Sequence, residues 1–188
     1  VKASDSYRIK LGACAALMGI TLTSGLALAI GVGSPTIALP VLADLGVGAE
    51  PRADLAAVST DTPTADALAA NRAALNATPM AAAPWLRIAY LRSRNGQPLD
   101  GPALEAIERS YTVSPYGDDV TAWRLTFLYE HWDQLTPEIR AEVTAEHLTS
   151  ASWGRRWDPD VVKNPAGRMA ATFTQARGLT LQAKTIPH

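Results

Sequence analysis

The sequence predicts an all-α protein, with a single membrane-spanning helix near the N-terminus followed by a small repeat domain of about six helices. Three observations carry this reading. No segment after Pro63 sustains the apolar and polar alternation of a strand. The run from Leu11 to Gly33 contains no charged side chain. Two stretches also match: at an offset of 36 residues Ala67 falls on Ala103, Leu68 on Leu104, Ala70 on Ala106, Leu75 on Tyr111 and Pro79 on Pro115. Past the prolines the offset is 38, so that Trp85 to Leu91 lies over Trp123 to Tyr129. Small residues inside one helix, a proline closing it and an aromatic opening the next form the signature of a helix–turn–helix repeat.

The N-terminal element comes first. Lys2, Arg8 and Lys10 precede the apolar run, making residues 1–10 a basic N-terminus and residues 11–33 the expected transmembrane helix. At 1.5 Å per residue, roughly 20 residues cross a hydrocarbon core of about 30 Å. Beyond it the charges are mostly acidic, Asp44, Glu50, Asp54 and Asp61 against Arg52. The basic side stays in the cytoplasm, which places the rest of the chain in the periplasm of a bacterial cell. The alternative is a cleaved signal peptide, because Ala27-Leu28-Ala29 has the small-x-small form of a cleavage site. The apolar character continues past that site through Ile30, Val32, Ile37, Leu39, Val41 and Leu42, which favours a retained anchor. Leu11-Gly12-Ala13-Cys14 looks like a lipoprotein cleavage box, but it precedes the hydrophobic region when it should follow it. Gly12 with Ala16, and Gly19 with Thr23, place small residues four apart, where a second transmembrane helix can approach closely.

Residues 34–63 read as an extracytoplasmic linker. Pro35, Pro40, Pro51 and Pro63 interrupt any long helix, and the stretch from Ala49 to Thr62 is polar and poor in large apolar groups, so it is expected to be extended or mobile. The helical domain then spans 64–178. Thr64 or Asp66 caps the first helix and Thr78-Pro79 stops it. Pro84-Trp85 opens the second, with Trp85, Ile88, Ala89 and Leu91 as its apolar stripe, and Asn95-Gly96 ends it. Asp100 and Pro102 start the third, which turns Leu104, Ile107 and Tyr111 inward and closes at Pro115. Asp118 or Asp119 is expected to cap the fourth, through Val120, Trp123 and Phe127. Thr136-Pro137-Glu138 opens the fifth with a capping hydroxyl, a proline at the first helical position and an acid near the positive dipole end. Its inner face is Ile139, Val143 and Leu148, and it ends near Ser152. Asn164-Pro165 starts the sixth, with Met169, Ala170 and Phe173, stopped by Arg177-Gly178; residues 179–188 read as a tail.

Composition narrows the function. A formal net charge of −1 and no basic stripe give no reason to expect a nucleic-acid partner. Cys14 is the only cysteine, which excludes an intrachain disulfide, a Cys-rich zinc site and a Cys-x-x-Cys redox pair. Glu130-His131-Trp132-Asp133 matches no metal-ligand spacing and reads as a solvated helix end, with His147 on another helix. Asp158-Pro159-Asp160 reads as a turn and cap. There is no Gly-rich phosphate loop, no Gly-x-Ser-x-Gly elbow and no His-Glu-x-x-His. The chain is therefore expected to be no enzyme and to need no cofactor or metal. The partner-binding candidates are Trp153, Arg155, Arg156 and Trp157, with two Trp and two Arg in one short segment, and Arg87 and Arg124. The alternative for the two Trp is a cap over the open end of the helix stack. Arg87, Arg92, Arg94 and Arg124 are expected on a solvated basic face, and Trp85 and Trp123 in the core.

The pattern of Trp85, Ile88, Ala89 and Leu91, followed by Leu104, Ala106, Tyr111 and Pro115, resembles the tetratricopeptide family over about Ala67 to Trp132. The domain is similar to small membrane-anchored tetratricopeptide-like proteins of bacterial envelope and exopolysaccharide systems. That resemblance implies a scaffold or accessory subunit that binds other protein subunits, with no active site of its own. The partners expected are thus subunits of an inner-membrane complex, and lipid through the N-terminal helix. If the segment is cleaved near Ala29, the expectation becomes a secreted helical domain capturing a peptide or saccharide.

Overall fold

The computed structural model describes residues 16–26, 48–155 and 157–185, with side chains through residue 180. Among them every regular element is helical, with no strand. Residues 16–26 form helix α1, its side chains all exposed. Then follow α2 (Ala49–Val58), α3 (Thr64–Ala77), α4 (Ala82–Ser93), α5 (Gly101–Val113), α6 (Thr121–Glu130), α7 (Pro137–Ser152) and α8 (Pro165–Thr185), joined by short turns and 3-10 segments. No helix among the described residues is long and apolar enough to cross a membrane. Of the expected span, Gly12 and the other residues outside 16–26 lie beyond what is described; Ala16, Gly19 and Thr23 lie within α1.

The helix starts follow their local chemistry. The Asp100 side chain accepts from the Ala103 amide at 2.9 Å, and Thr136 Oγ1 from the Ile139 amide at 3.2 Å. Asn164 Oδ1 accepts from the Gly167 amide at 3.1 Å, ahead of Pro165. Each bond satisfies one of the amides that a helix start leaves without an intrahelical acceptor. Asn95 and Gly96 take left-handed φ values of 59° and 76° and end α4 as expected.

Four expectations about elements are corrected. Neither Thr64 nor Asp66 caps α3, whose N-cap is Pro63 with no side-chain bond. The stretch expected to be an extended linker is helix α2. Its buried Ala49, Ala53 and Ala57 stand four apart and close against Ala67 and Ala74 of α3 and Leu91 of α4. An all-alanine seam lets two helix backbones approach closely, so burial needs no large side chain. Neither Asp118 nor Asp119 caps α6, whose N-cap is Val120 with no side-chain bond; Asp118 pairs with Arg155 instead. The last helix does not stop at Gly178 but continues to Thr185. Gly178 faces Leu148 and Ala151 of α7, and that packing carries α8 through a poor helix former.

The first four packed helices stack in chain order, α2 on α3 and α4 on α3 and α5; then α5 and α6 each meet α7, and α7 packs on α8, which also returns onto α6. The main core runs from α4 to α8, with Ala89, Ile107, Leu125, Leu128, Tyr129, Val143, Val162 and Ala171 all fully buried. Each such Leu or Ile contributes about 1.5–3 kcal/mol by leaving water.

Candidate binding surface

Alternate helices α2, α4 and α6 share one face, and a cleft of about 340 Å³ opens across it. Its walls are Asp54, Ala57 and Val58 from the end of α2, Ala83, Arg87 and Tyr90 from α4, and Asp119 and Trp123 from the start of α6. The floor is Leu86 and Val120, 1% and 5% exposed. Trp123 was expected in the core but is 43% exposed, beside Tyr90 at 37%. Trp123 and Phe127, four apart on α6, stack in parallel at 5.1 Å, and Tyr90 meets both edge-on at 6.0 and 6.3 Å. Phe127 in turn touches His131 at 4.5 Å, so α6 carries a ladder of three rings at helical spacing. Phe127 is buried, but Tyr90 and Trp123, held against it and still open to water, are poised to lose that water to a ligand.

Arg87 anchors the cleft wall. Its Nε donates to Asn71 Oδ1 at 2.9 Å and its Nη1 to Asp54 at 3.1 Å, and it is ion-paired with Glu50. Asn71, itself fully buried, donates to the Ala53 carbonyl at 3.3 Å and the Ala67 carbonyl at 2.9 Å, so one chain of bonds ties α2, α3 and α4 together. Arg92 is bonded to Asp100, and Arg94 donates to the Ser59 carbonyl at 2.5 Å. The expected solvated basic face is therefore not formed.

Arg124 departs furthest from expectation. Predicted to face a partner, it is 0% exposed, and no partner can reach it. Its guanidinium donates to Glu146 at 2.6–3.1 Å and to the carbonyls of Ser114 and Pro115 at 2.9 Å and Ser110 at 3.3 Å, and lies 4.1 Å from the centre of the Tyr111 ring. Glu146 also accepts from Tyr111 Oη at 2.9 Å and Thr121 Oγ1 at 2.6 Å. Burial, then the Glu146 charge, push the Tyr111 hydroxyl well above its ordinary pKa. This is a closed network holding α5, α6 and α7 together.

The Trp153 to Trp157 segment divides. Trp157 packs on Tyr129 at 5.4 Å and edge-on to His147 at 5.2 Å, and its indole donates to Thr126 Oγ1 at 3.1 Å, so it covers the core. Trp153 stays 55% exposed, edge-on to Tyr116 at 6.1 Å, with Arg155 over its ring at 5.6 Å. Arg155 is also paired with Asp118, and Arg156 lies outside the described residues.

The residues considered for chemistry are occupied in holding loops. Both Glu130 carboxylate oxygens accept backbone amides, from Lys163 at 2.6 Å and Asn164 at 3.0 Å. Asp133 accepts from Asn164 at 3.1 Å, and Asp158 from the Asp160 amide at 3.0 Å. His131 Nδ1 donates to the Phe127 carbonyl at 2.8 Å. Among the described residues no group of three or more His, Cys, Asp or Glu could hold a metal ion.

His147, 2% exposed, is hydrogen-bonded through Nδ1 to Tyr129 Oη at 2.9 Å, and burial pushes its pKa down to about 4. Burial likewise raises the Tyr129 hydroxyl to about 12. The linkage has a definite sign. Below an unfolded pKa of about 6.5 the unfolded chain takes up a proton that the folded chain refuses, so stability falls as pH drops from 6.5 towards about 4. The slope approaches about 1.4 kcal/mol per pH unit, and the total is at most about 3 kcal/mol. Urea midpoints measured near neutrality and near pH 5 are expected to show this loss in the wild type and a clearly smaller one in His147→Gln. Equal losses in both would assign the acid sensitivity to other groups.

No known protein family, curated protein or solved structure matches the chain.

Proposed function

We propose that this chain is a non-catalytic, membrane-anchored scaffold or accessory subunit of a bacterial inner-membrane or envelope complex, and that its helical domain binds protein partners on the periplasmic side. The observation that carries the reading is the open cleft on the α2, α4 and α6 face, with Tyr90 and Trp123 37% and 43% exposed beside it. Large aromatic side chains at a partly dewetted cleft are the groups that most often supply binding energy at protein interfaces. Trp153 offers a further exposed aromatic outside the cleft, flanked by the Arg155–Asp118 pair. The charge-free run of residues 11–33 after Lys2, Arg8 and Lys10 supports the anchor. An anchor confines the search for a partner to the membrane plane and raises the effective concentration of each site. The repeat of Ala67 to Trp85 in Ala103 to Trp123, with its resemblance to tetratricopeptide proteins, supports an adaptor role.

The test is extraction of the tagged chain from native membranes in mild detergent, beside a Trp123→Leu variant of equal urea midpoint. A defined set of companions is expected with the wild type, at least tenfold depleted with the variant, on a chain whose intact mass retains residues 1–33. Companions unchanged in Trp123→Leu would overturn the role of this face. A new N-terminus near Ile30 on a freely soluble particle would replace the reading by a secreted binding domain.

A further inference from the structure

The cleft has a chemical character of its own. Among the described residues its only cationic wall residue, Arg87, has a side chain 13% exposed and is already bonded to Glu50, Asp54 and Asn71. Asp54 keeps 64% of its side chain exposed while sharing that guanidinium. Asp119, also exposed, has neither a hydrogen bond nor an ion pair with any described residue. With Glu50 behind the wall, one positive charge is set against three negative ones. The Tyr90 and Trp123 rings line the same cleft as the two carboxylates, and Val58, 73% exposed, adds to its apolar wall.

We infer that this cleft takes a basic side chain, arginine or lysine, presented by an exposed segment of a protein partner. The inference rests on the proposal that this face binds a partner, and names the group it reads. An apolar stem lies along Val58, Ala83 and Trp123 while its cationic head reaches Asp119 and Asp54. The aromatic faces attract the same cation through their quadrupoles, and a guanidinium both stacks on a ring and donates in parallel to a carboxylate. An acidic segment would bring like charge to Asp119, and a neutral one would leave that carboxylate to be dehydrated without a partner.

The test uses the purified full chain and four fluorescein-labelled peptides of one Gly-Ser framework, carrying several arginines, lysines, glutamines or glutamates, with a neutral maltooligosaccharide alongside. Saturable binding of the arginine and lysine peptides is expected, weakened by added salt, with the glutamine and glutamate peptides at least tenfold weaker. Asp119→Asn is expected to lower arginine-peptide affinity by roughly tenfold, and Trp123→Leu by a similar factor. Asp119 has no hydrogen bond or ion pair with any described residue, so its variant should unfold close to the wild-type urea midpoint and report binding alone. Equal binding of all four peptides, preference for the glutamate peptide or the oligosaccharide, no binding, or affinity unchanged in Asp119→Asn would each overturn the inference. The two readings separate: companions lost from Trp123→Leu membranes without any arginine or lysine preference would leave the partner-binding face and remove the basic side chain. Companions retained by that variant would remove the face itself.

Discussion

Arg124→Ala is expected to lower stability by about 3–5 kcal/mol, because it leaves Glu146 charged and unpaired in the core. The wild-type pair is 0% and 1% exposed, so water cannot take over the lost bonds. Further bonds are lost with the same truncation. The carbonyls of Ser114 and Pro115, beyond the end of α5, lose their donor, and the Ser110 carbonyl keeps only the Ser114 amide. Arg124→Lys is expected to recover little, since an ammonium cannot span Glu146 and carbonyls on its far side with one planar fork. A solvated arginine would behave differently, its truncation changing stability by no more than about 0.5 kcal/mol. Urea unfolding at constant slope distinguishes the two cases directly. The double variant Arg124→Met, Glu146→Leu is expected to cost less than the sum of the singles, because neither charge is then stranded. It should still fall below wild type, since the Tyr111 hydroxyl loses its acceptor, while Thr121 keeps the Gly117 carbonyl.

Arg124 also shows where sequence reading stops. The spacing of Trp123 to Tyr129 placed it on a helix, but whether that position faces water depends on Glu146, 22 residues away, which gives the guanidinium its partner. A charged residue reads as exposed until its partner is known. By contrast, the starts at Asp100, Thr136 and Asn164 and the stop at Asn95-Gly96 were legible because their bonds close within three residues. Helix α2 carries a weaker signal: Ala49, Ala53 and Ala57 have helical spacing, but a stretch poor in large apolar groups shows no hydrophobic periodicity. The cleft is illegible for the same reason, since one of its walls is the end of α2. Trp123 was legible as a repeat aromatic and misplaced inward, because a match between repeats gives position along a helix but not which neighbour the face meets. Trp157 shows the converse: from a segment with no helical signal it reaches Tyr129 and His147 in the core.

Gly167→Ala and Gly178→Ala, one substitution at two positions of α8, are expected to act with opposite signs. Alanine favours a helix interior over glycine by about 1 kcal/mol, so propensity alone would make both stabilising. At Gly178 nothing opposes that gain, because an added Cβ would meet Leu148 and Ala151 at 3.5 and 3.6 Å, ordinary contact distances. A rise of about 0.5–1 kcal/mol is expected there. At Gly167 the same atom would lie 1.8 Å from the Tyr129 carbonyl oxygen and 2.7 Å from its carbon, where the first turn of α8 crosses the end of α6. Backbone cannot rotate away as a side chain would, so α8 must move. Movement strains the Asn164 side chain's bond to the Glu130 carbonyl and draws the buried Val162 and Ala171 away from the core. The expected net loss is about 3 kcal/mol, at the upper end of what overpacking costs. Parallel urea midpoints decide the matter: a stabilised Gly167→Ala would mean that α8 docks on α6 more loosely than the Tyr129 contact requires, and a destabilised Gly178→Ala that α8 meets α7 more closely than its Leu148 contact shows.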